Sequence, residues 1–167
     1  MWHYFVQRGT DKFKHNIFRV KTPALIAECI TDRRLNFEEC HGSVSLGHEL
    51  YCYFKDGKFF EISNNKRTVK SLARPSYRGY GSALTAYKRN HLFLLGGQDS
   101  SGKLGTVEVY NVDFDLWRWC SELNSARVDH SCCILGDMLY VSGGSRGEDS
   151  IEVASCTDLI GNNSATW

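Results

Sequence analysis

Leu92-Phe93-Leu94-Leu95-Gly96-Gly97 and, 47 positions later, Leu139-Tyr140-Val141-Ser142-Gly143-Gly144 are two versions of one phrase. Each is a short continuous apolar run closed by a glycine pair. That is the pattern of a strand buried on both faces and ending where the backbone must approach a neighbour closely. Leu50-Tyr51-Cys52-Tyr53 is an earlier version, 42 positions before Leu92, with Phe54-Lys55 where the glycines would stand. A hydrophobic-charged-hydrophobic triplet follows each run, as Phe60-Glu61-Ile62, Val107-Glu108-Val109 and Ile151-Glu152-Val153, and Phe18-Arg19-Val20 stands ahead of them; the steps are 42, 47 and 44 residues. Before each run a charged residue stands four positions ahead of a serine: Glu39 and Ser43, Arg78 and Ser82, Arg127 and Ser131.

Three anchors in constant order define a repeat of about 45 residues, the arithmetic of a β-propeller blade of four short antiparallel strands. A helical repeat would need apolar spacings of three and four, which do not occur. The strands are expected at 43–46, 49–54, 58–63 and 67–71, at 82–87, 91–95, 106–111 and 116–120, and at 131–135, 138–142 and 150–154 with a last one ending at Trp167. Strands near 2–7, 15–21 and 24–30 make a blade lacking its first strand. The expected fold is therefore all-β, about three and a half blades, divided at 1–38, 39–75, 76–122 and 123–167.

Composition agrees with this reading. Of 167 residues 13% are aromatic, with 15 glycines and 2 prolines, which suits many short strands joined by turns. The formal charge of +1 supplies no field to gather nucleic acid or an anionic membrane, so neither is an expected partner. No apolar run approaches the roughly 20 residues of a bilayer span, and the opening residues are too short for a signal-peptide core. Seven cysteines without framework spacing suggest reduced thiols and a cytoplasmic protein.

The glycine pairs Gly96-Gly97 and Gly143-Gly144, followed by Tyr110 and Trp117, carry a resemblance to kelch-repeat proteins, clearest over residues 76–167. The unit at 43–71 departs from the pattern in lacking both the glycines and a fourth-strand tryptophan. The resemblance implies a kelch-type propeller whose glycines and aromatic pair are structural, and a protein-interaction function without catalysis. Relatives of this kind serve as substrate receptors of ubiquitin ligases or bind cytoskeletal proteins. Similar propellers include galactose-oxidase-like copper oxidoreductases, the alternative function. Copper chemistry needs imidazoles and tyrosinates converging on one metal, and the six histidines are scattered over different blades.

Other chemistries are weaker. Cys40, His41, His48 and Cys52 could be taken for a zinc set, but the strand reading spreads them from one end of a strand to a turn at the other. Cys132 and Cys133 are adjacent and point to opposite faces. Gly96 to Lys103 lacks the spacing and following helix of a phosphate loop. No metal, cofactor or catalytic residue is expected.

Alternating strands bring the loop leading into the first strand and the loop joining the second and third onto one face, where variable polar residues gather. The expected docking residues are Glu39, Arg78, Gln98, Asp99, Arg127, Ser145 and Arg146, with Lys55, Asp56 and Ser100 beside them. Arg78 and Arg127 carry an even alternative, as ties between blades. Since a closed ring needs four or more blades, the chain is expected to be completed by a longer gene product or by a second copy.

Overall fold

A computed structural model describes residues 2–8, 15–21, 26–30, 40–63, 68–145, 149–161 and 165–167, the first three segments as backbone. β1 (Trp2–Arg8), β2 (His15–Lys21) and β3 (Ile26–Ile30) form a three-stranded antiparallel sheet. β4 (Cys40–Leu46), β5 (Glu49–Phe54), β6 (Phe59–Ser63) and β7 (Thr68–Ser71) form a four-stranded one in chain order. The next sheet joins β8 (Ala83–Tyr87), β9 (His91–Leu95), β12 (Val107–Asn111) and β13 (Leu116–Trp119), with a small hairpin of β10 (Gln98–Asp99) and β11 (Gly102–Lys103) between its second and third strands. β14 (Ser131–Leu135), β15 (Met138–Ser142) and β16 (Ile151–Ser155) make the last sheet, followed by the helix α1 (Cys156–Gly161).

The continuous apolar runs are the second strands; β9 is buried on both sides because its sheet lies between two others, whereas β15 buries only Leu139 and Val141, on one face. Leu92, Phe93, Leu94 and Leu95 have no exposed surface. Leu92 and Leu94 face the preceding sheet, packing with Tyr51, Tyr53 and Phe59. Phe93 and Leu95 face the following one, packing with Leu139, Val141 and Ala154. The first strands β4, β8 and β14 lie against one another, so the sheets radiate from a common side as the blades of a partial propeller.

Tryptophans seal the blades by a repeated bond. Trp117 Nε1 donates to the Ala73 carbonyl at 2.8 Å, and Trp167 Nε1 donates to that of Ser121 at 2.8 Å. Each acceptor is the second residue past the last strand of the preceding sheet. Trp117 and Tyr110 also meet Phe59 of that sheet at centroid distances of 5.1 Å. The aromatic pair is inter-blade packing, since Tyr110 and Trp117 stand directly opposite on β12 and β13 and share the face towards that sheet.

One expectation needs correction, and one unit departs from the others in register. No fourth strand is found among the described residues of the last unit; α1 takes its place, started by Ser155, whose hydroxyl accepts the Asp158 N–H at 3.3 Å. Cys156 and Leu159, three apart, bury one face of that turn, while Trp167 still occupies its blade-sealing position. Secondly, the triplet of the 43–71 unit is slipped by one. Glu108 and Glu152 stand opposite Leu94 and Val141, the third residues of their runs, but Glu61 stands opposite Tyr51, the second, leaving Phe60 opposite Cys52. The turn from Phe54 to Phe59 is tighter than the loop from Leu95 to Val107, and a one-residue slip turns every side chain to the other face. Phe60 accordingly packs in the apolar cluster of Leu50, Cys52 and Phe54.

The glycine pair works as its position demands. Gly97 N donates to the Arg127 carbonyl at 2.7 Å, joining two sheets, and Gly96 has φ +55° with space for no side chain: a Cβ would lie 2.6 Å from that carbonyl oxygen and 2.6 Å from His130 Cε1. Gly143 shares the left-handed conformation, at φ +72°, but nothing lies within 4 Å of its Cβ direction. Gly96→Val is therefore expected to cost about 3–5 kcal/mol, strain plus clash, against about 1–3 kcal/mol for Gly143→Val. Urea unfolding of both variants checks the order; equal losses would contradict the inter-sheet contact.

Candidate functional site

Two arginines stand at the same place in the repeat, and the structure gives them opposite fates. Arg127, in the segment leading into β14, is completely buried. Its Nε and Nη2 donate to Glu152 Oε1 at 3.1 and 3.0 Å, Nη1 donates to the Gly143 carbonyl at 2.8 Å, and Nη2 also donates to Ser150 Oγ at 2.6 Å. Glu152 accepts further bonds from the backbone N–H groups of Asn124 and Ser125, at 2.6 and 3.1 Å. A buried guanidinium satisfied in this way ties the lead-in segment to the loop between β15 and β16. Arg127 is thus a structural tie and not a docking residue, which corrects the expectation.

Arg78 leads into β8 at the equivalent position and is exposed. The carboxylate that would pair with it by analogy, Glu108, is buried and bound instead by Ser76, whose hydroxyl and backbone N–H both donate to it. Burial raises the Glu108 carboxyl above its ordinary range, partly offset by the Ser76 bonds. The Arg78 stem passes over Gly57, where a Cβ would come within 3.0 Å of Arg78 Cγ.

Arg78 borders an open depression of about 640 Å³ together with Lys55, Tyr80, Gln98, Asp99 and Ser100. Its floor is held by a two-way bridge, Tyr80 N to the Gln98 carbonyl at 3.0 Å and Gln98 N to that of Tyr80 at 2.9 Å. Asp99 is turned onto its own hairpin: its Oδ1 accepts from Ser101 Oγ and Ser101 N at 2.5 and 2.7 Å, which hold its carboxyl below the usual range. The depression therefore carries two cations, Lys55 and Arg78, against one carboxylate, Asp99, whose Oδ1 is engaged by its own hairpin.

Of the expected docking residues, Arg78, Gln98 and Asp99 line this one depression. Ser145 lies beyond the hairpin, its carbonyl accepting Lys103 Nζ at 2.7 Å and its N–H donating to Val128 at 2.8 Å. Glu39 and Arg146 fall outside the described residues. Tyr80 was missed, though an aromatic ring between Gly79 and Gly81 in a lead-in segment is a signal of an exposed platform. Among the described residues no group of three or more His, Cys, Asp or Glu side chains is placed to hold a metal; Cys40 and Cys52 sit on adjoining strands, and His48 in the turn between them.

His130, beside Gly96, is buried, and neither ring nitrogen has a hydrogen-bond partner among the described residues. Burial first, and then the Arg127 charge, push it down to about 4 from the ordinary 6.5. The unfolded chain takes up this proton first, so the stability His130 contributes is full above pH 6.5 and is lost as the pH falls towards 4. Denaturant unfolding between neutral pH and pH 4.5 should show a steeper loss in the wild type than in His130→Gln; parallel losses would contradict it. Arg127→Met is expected to cost about 3–5 kcal/mol by stranding Glu152, and Arg78→Met less than about 0.5 kcal/mol, as for an exposed site.

Comparison with known proteins adds the family. The Kelch motif matches residues 82–124, the unit from Ser82 through the fourth-strand tryptophan. Human Kelch-like protein 33 is 34% identical over 121 residues, covering 64% of this chain and 22% of its own length. Kelch domain-containing protein 3 of Rattus norvegicus is 26% identical over 137 residues, covering 67% of this chain and 35% of its own. An Influenza virus NS1A-binding protein homolog of Xenopus laevis is 31% identical over 80 residues, covering 48% of this chain and 12% of its own. The chain thus spans about a fifth to a third of the first two relatives. With sheets stacked through glycine-bounded second strands and tryptophan seals, and with the motif falling on the best-formed of them, the chain carries a kelch repeat and its fold is a partial kelch-type β-propeller.

Proposed function

We propose that this chain is a protein-interaction module that docks an acidic segment of a partner protein in the depression between Lys55, Arg78, Tyr80 and Gln98, without catalysis. The observation that carries it is electrostatic. Two exposed cations line one open hollow against a single lining carboxylate, Asp99, whose Oδ1 is engaged by its own hairpin, so positive charge is in excess there. Arginine binds carboxylates in bidentate fashion, and an exposed tyrosine beside it supplies the rigid contact area typical of binding hot spots. One relative bears a name that describes it as binding a protein. No helix among the described residues is long and apolar enough to cross a membrane. The proposal includes a cytoplasmic setting, repeats at 39–75, 76–122 and 123–167 after a partial one at 1–38, and a face to which Ser145, Glu39 and Arg146 also contribute.

A second observation concerns self-association. The outward face of the last sheet exposes Leu135 by 73% and Ile151 by 67%, with Met138 beside them. The corresponding positions of the preceding sheet, Tyr87 and Val107, are covered by the sheet that comes after it. We infer that a second copy covers this face when the isolated chain is concentrated. Light scattering should detect dimers or larger species that Leu135→Glu with Ile151→Glu disperses; a wild-type monomer at high micromolar concentration would overturn this.

Docking is tested by fluorescence anisotropy with a labelled Glu/Asp-rich peptide and a Lys/Arg-rich peptide of equal length. The acidic peptide is expected to bind, to weaken as salt rises, and to lose roughly tenfold in affinity with Lys55→Ala or Arg78→Ala. Equal binding of both peptides, or unchanged affinity in both variants, would sink the proposal.

A further inference from the structure

The start of β4 carries a bulge that changes which side chain faces β5. Cys40 stands opposite Phe54 and Gly42 opposite Tyr53, leaving His41 as the extra residue. An unbroken ladder would have placed His41 opposite Phe54. The bulge sets Cys40 on the face that carries Leu50, Cys52 and Phe54, and it packs against that cluster. Cys52 is fully buried and Cys40 half-buried at the margin, with Cys40 Sγ donating to the Gly42 carbonyl at 3.5 Å.

The two thiols interact directly. Interaction with the Cys52 side chain holds Cys40 below the ordinary thiol range, and interaction with Cys40, together with burial, pushes Cys52 well above it. Such a pair has the asymmetry of an attacking and a resolving sulfur: one at the margin of the cluster and the more readily ionised, the other fully buried. That end of β5 runs into the turn carrying Lys55.

We propose that Cys40 and Cys52 are a peroxide-responsive thiol pair that closes to a disulfide joining β4 to β5. The Cys40 thiolate attacks one oxygen of hydrogen peroxide, the O–O bond breaks, and hydroxide leaves to be protonated as water. The sulfenic acid so formed on Cys40 is then attacked by the Cys52 sulfur; the S–S bond forms, the S–O bond breaks, and a second water departs with the Cys52 proton. The two sulfurs lose two electrons in all, and the peroxide is reduced. The adjacent Cys132 and Cys133 offer no such geometry, since their side chains leave opposite faces of β14.

The reduced chain is treated with hydrogen peroxide, denatured in N-ethylmaleimide and digested with trypsin. Cys40 and Cys52 fall in one tryptic peptide, residues 35–55, because no Lys or Arg lies between Arg34 and Lys55. The expected result is this peptide two hydrogens lighter and unlabelled in the wild type, and labelled at both cysteines when dithiothreitol precedes alkylation. In Cys40→Ser, Cys52 should stay labelled after peroxide. Double labelling of the wild-type peptide under conditions that oxidise the exposed Cys133, a sulfinic acid on Cys40 with Cys52 labelled, or protection of Cys52 in Cys40→Ser would each overturn the proposal. None of these readouts depends on a docking partner.

Discussion

A guanidinium with no access to water has to find its hydrogen bonds in the protein, and the region around the last two sheets is arranged to satisfy Arg127. Glu152, the Gly143 carbonyl and Ser150 receive its side chain, while its own carbonyl accepts Gly97 from the sheet before. One residue thereby joins the end of β9, the start of β14 and the loop after β15. Glycines at positions 96 and 143 are corollaries of this arrangement: the first lets Arg127 and His130 approach, and the second turns the carbonyl-bearing segment that meets Nη1.

At the same repeat position in the preceding unit the tie is made differently, with a different outcome for the arginine. Ser76 satisfies Glu108, and Arg78 remains at the surface beside Lys55. In the unit before that, the shorter turn after Phe54 slips the third strand, so an apolar Phe60 stands where the carboxylate would be. Tyr53 Oη there bonds Gly79, accepting its N–H at 3.2 Å and donating to its carbonyl at 3.3 Å. A side chain therefore joins these sheets where glycine backbone joins the next pair. Variation in how each sheet is tied to its neighbour has left Arg78 at the surface, and the candidate site is built on it.

Most strands were readable because a strand buried on both faces leaves an unbroken apolar run, and Leu50–Tyr53 and Leu92–Leu95 are such runs, with Leu139–Val141 a copy that is covered on one face only. The slip at Glu61 was not readable, since Phe60-Glu61-Ile62 has the same polarity in either register and only the turn length decides. The helix after Ser155 was hidden by the expectation of a fourth strand, although a serine with an aspartate three positions on is a helix-starting signal. The site was half readable. Sequence position alone could place Arg78 and Arg127 on one face of their loops; it could not tell which had a buried carboxylate within reach, because that depends on whether Ser76 or the arginine reaches the glutamate first.

The claim on which the functional reading turns is that these two equivalent arginines do different work, one inside the scaffold and one on the docking surface. Arginine side-chain N–H signals, monitored by NMR during titration with a Glu/Asp-rich peptide, test it most directly. The account predicts an Arg127 Nε–H that exchanges slowly with water and does not move, and an Arg78 Nε–H that exchanges rapidly and shifts as the peptide is added. An Arg78 signal protected from exchange, or an Arg127 signal that shifts with the peptide, would contradict it.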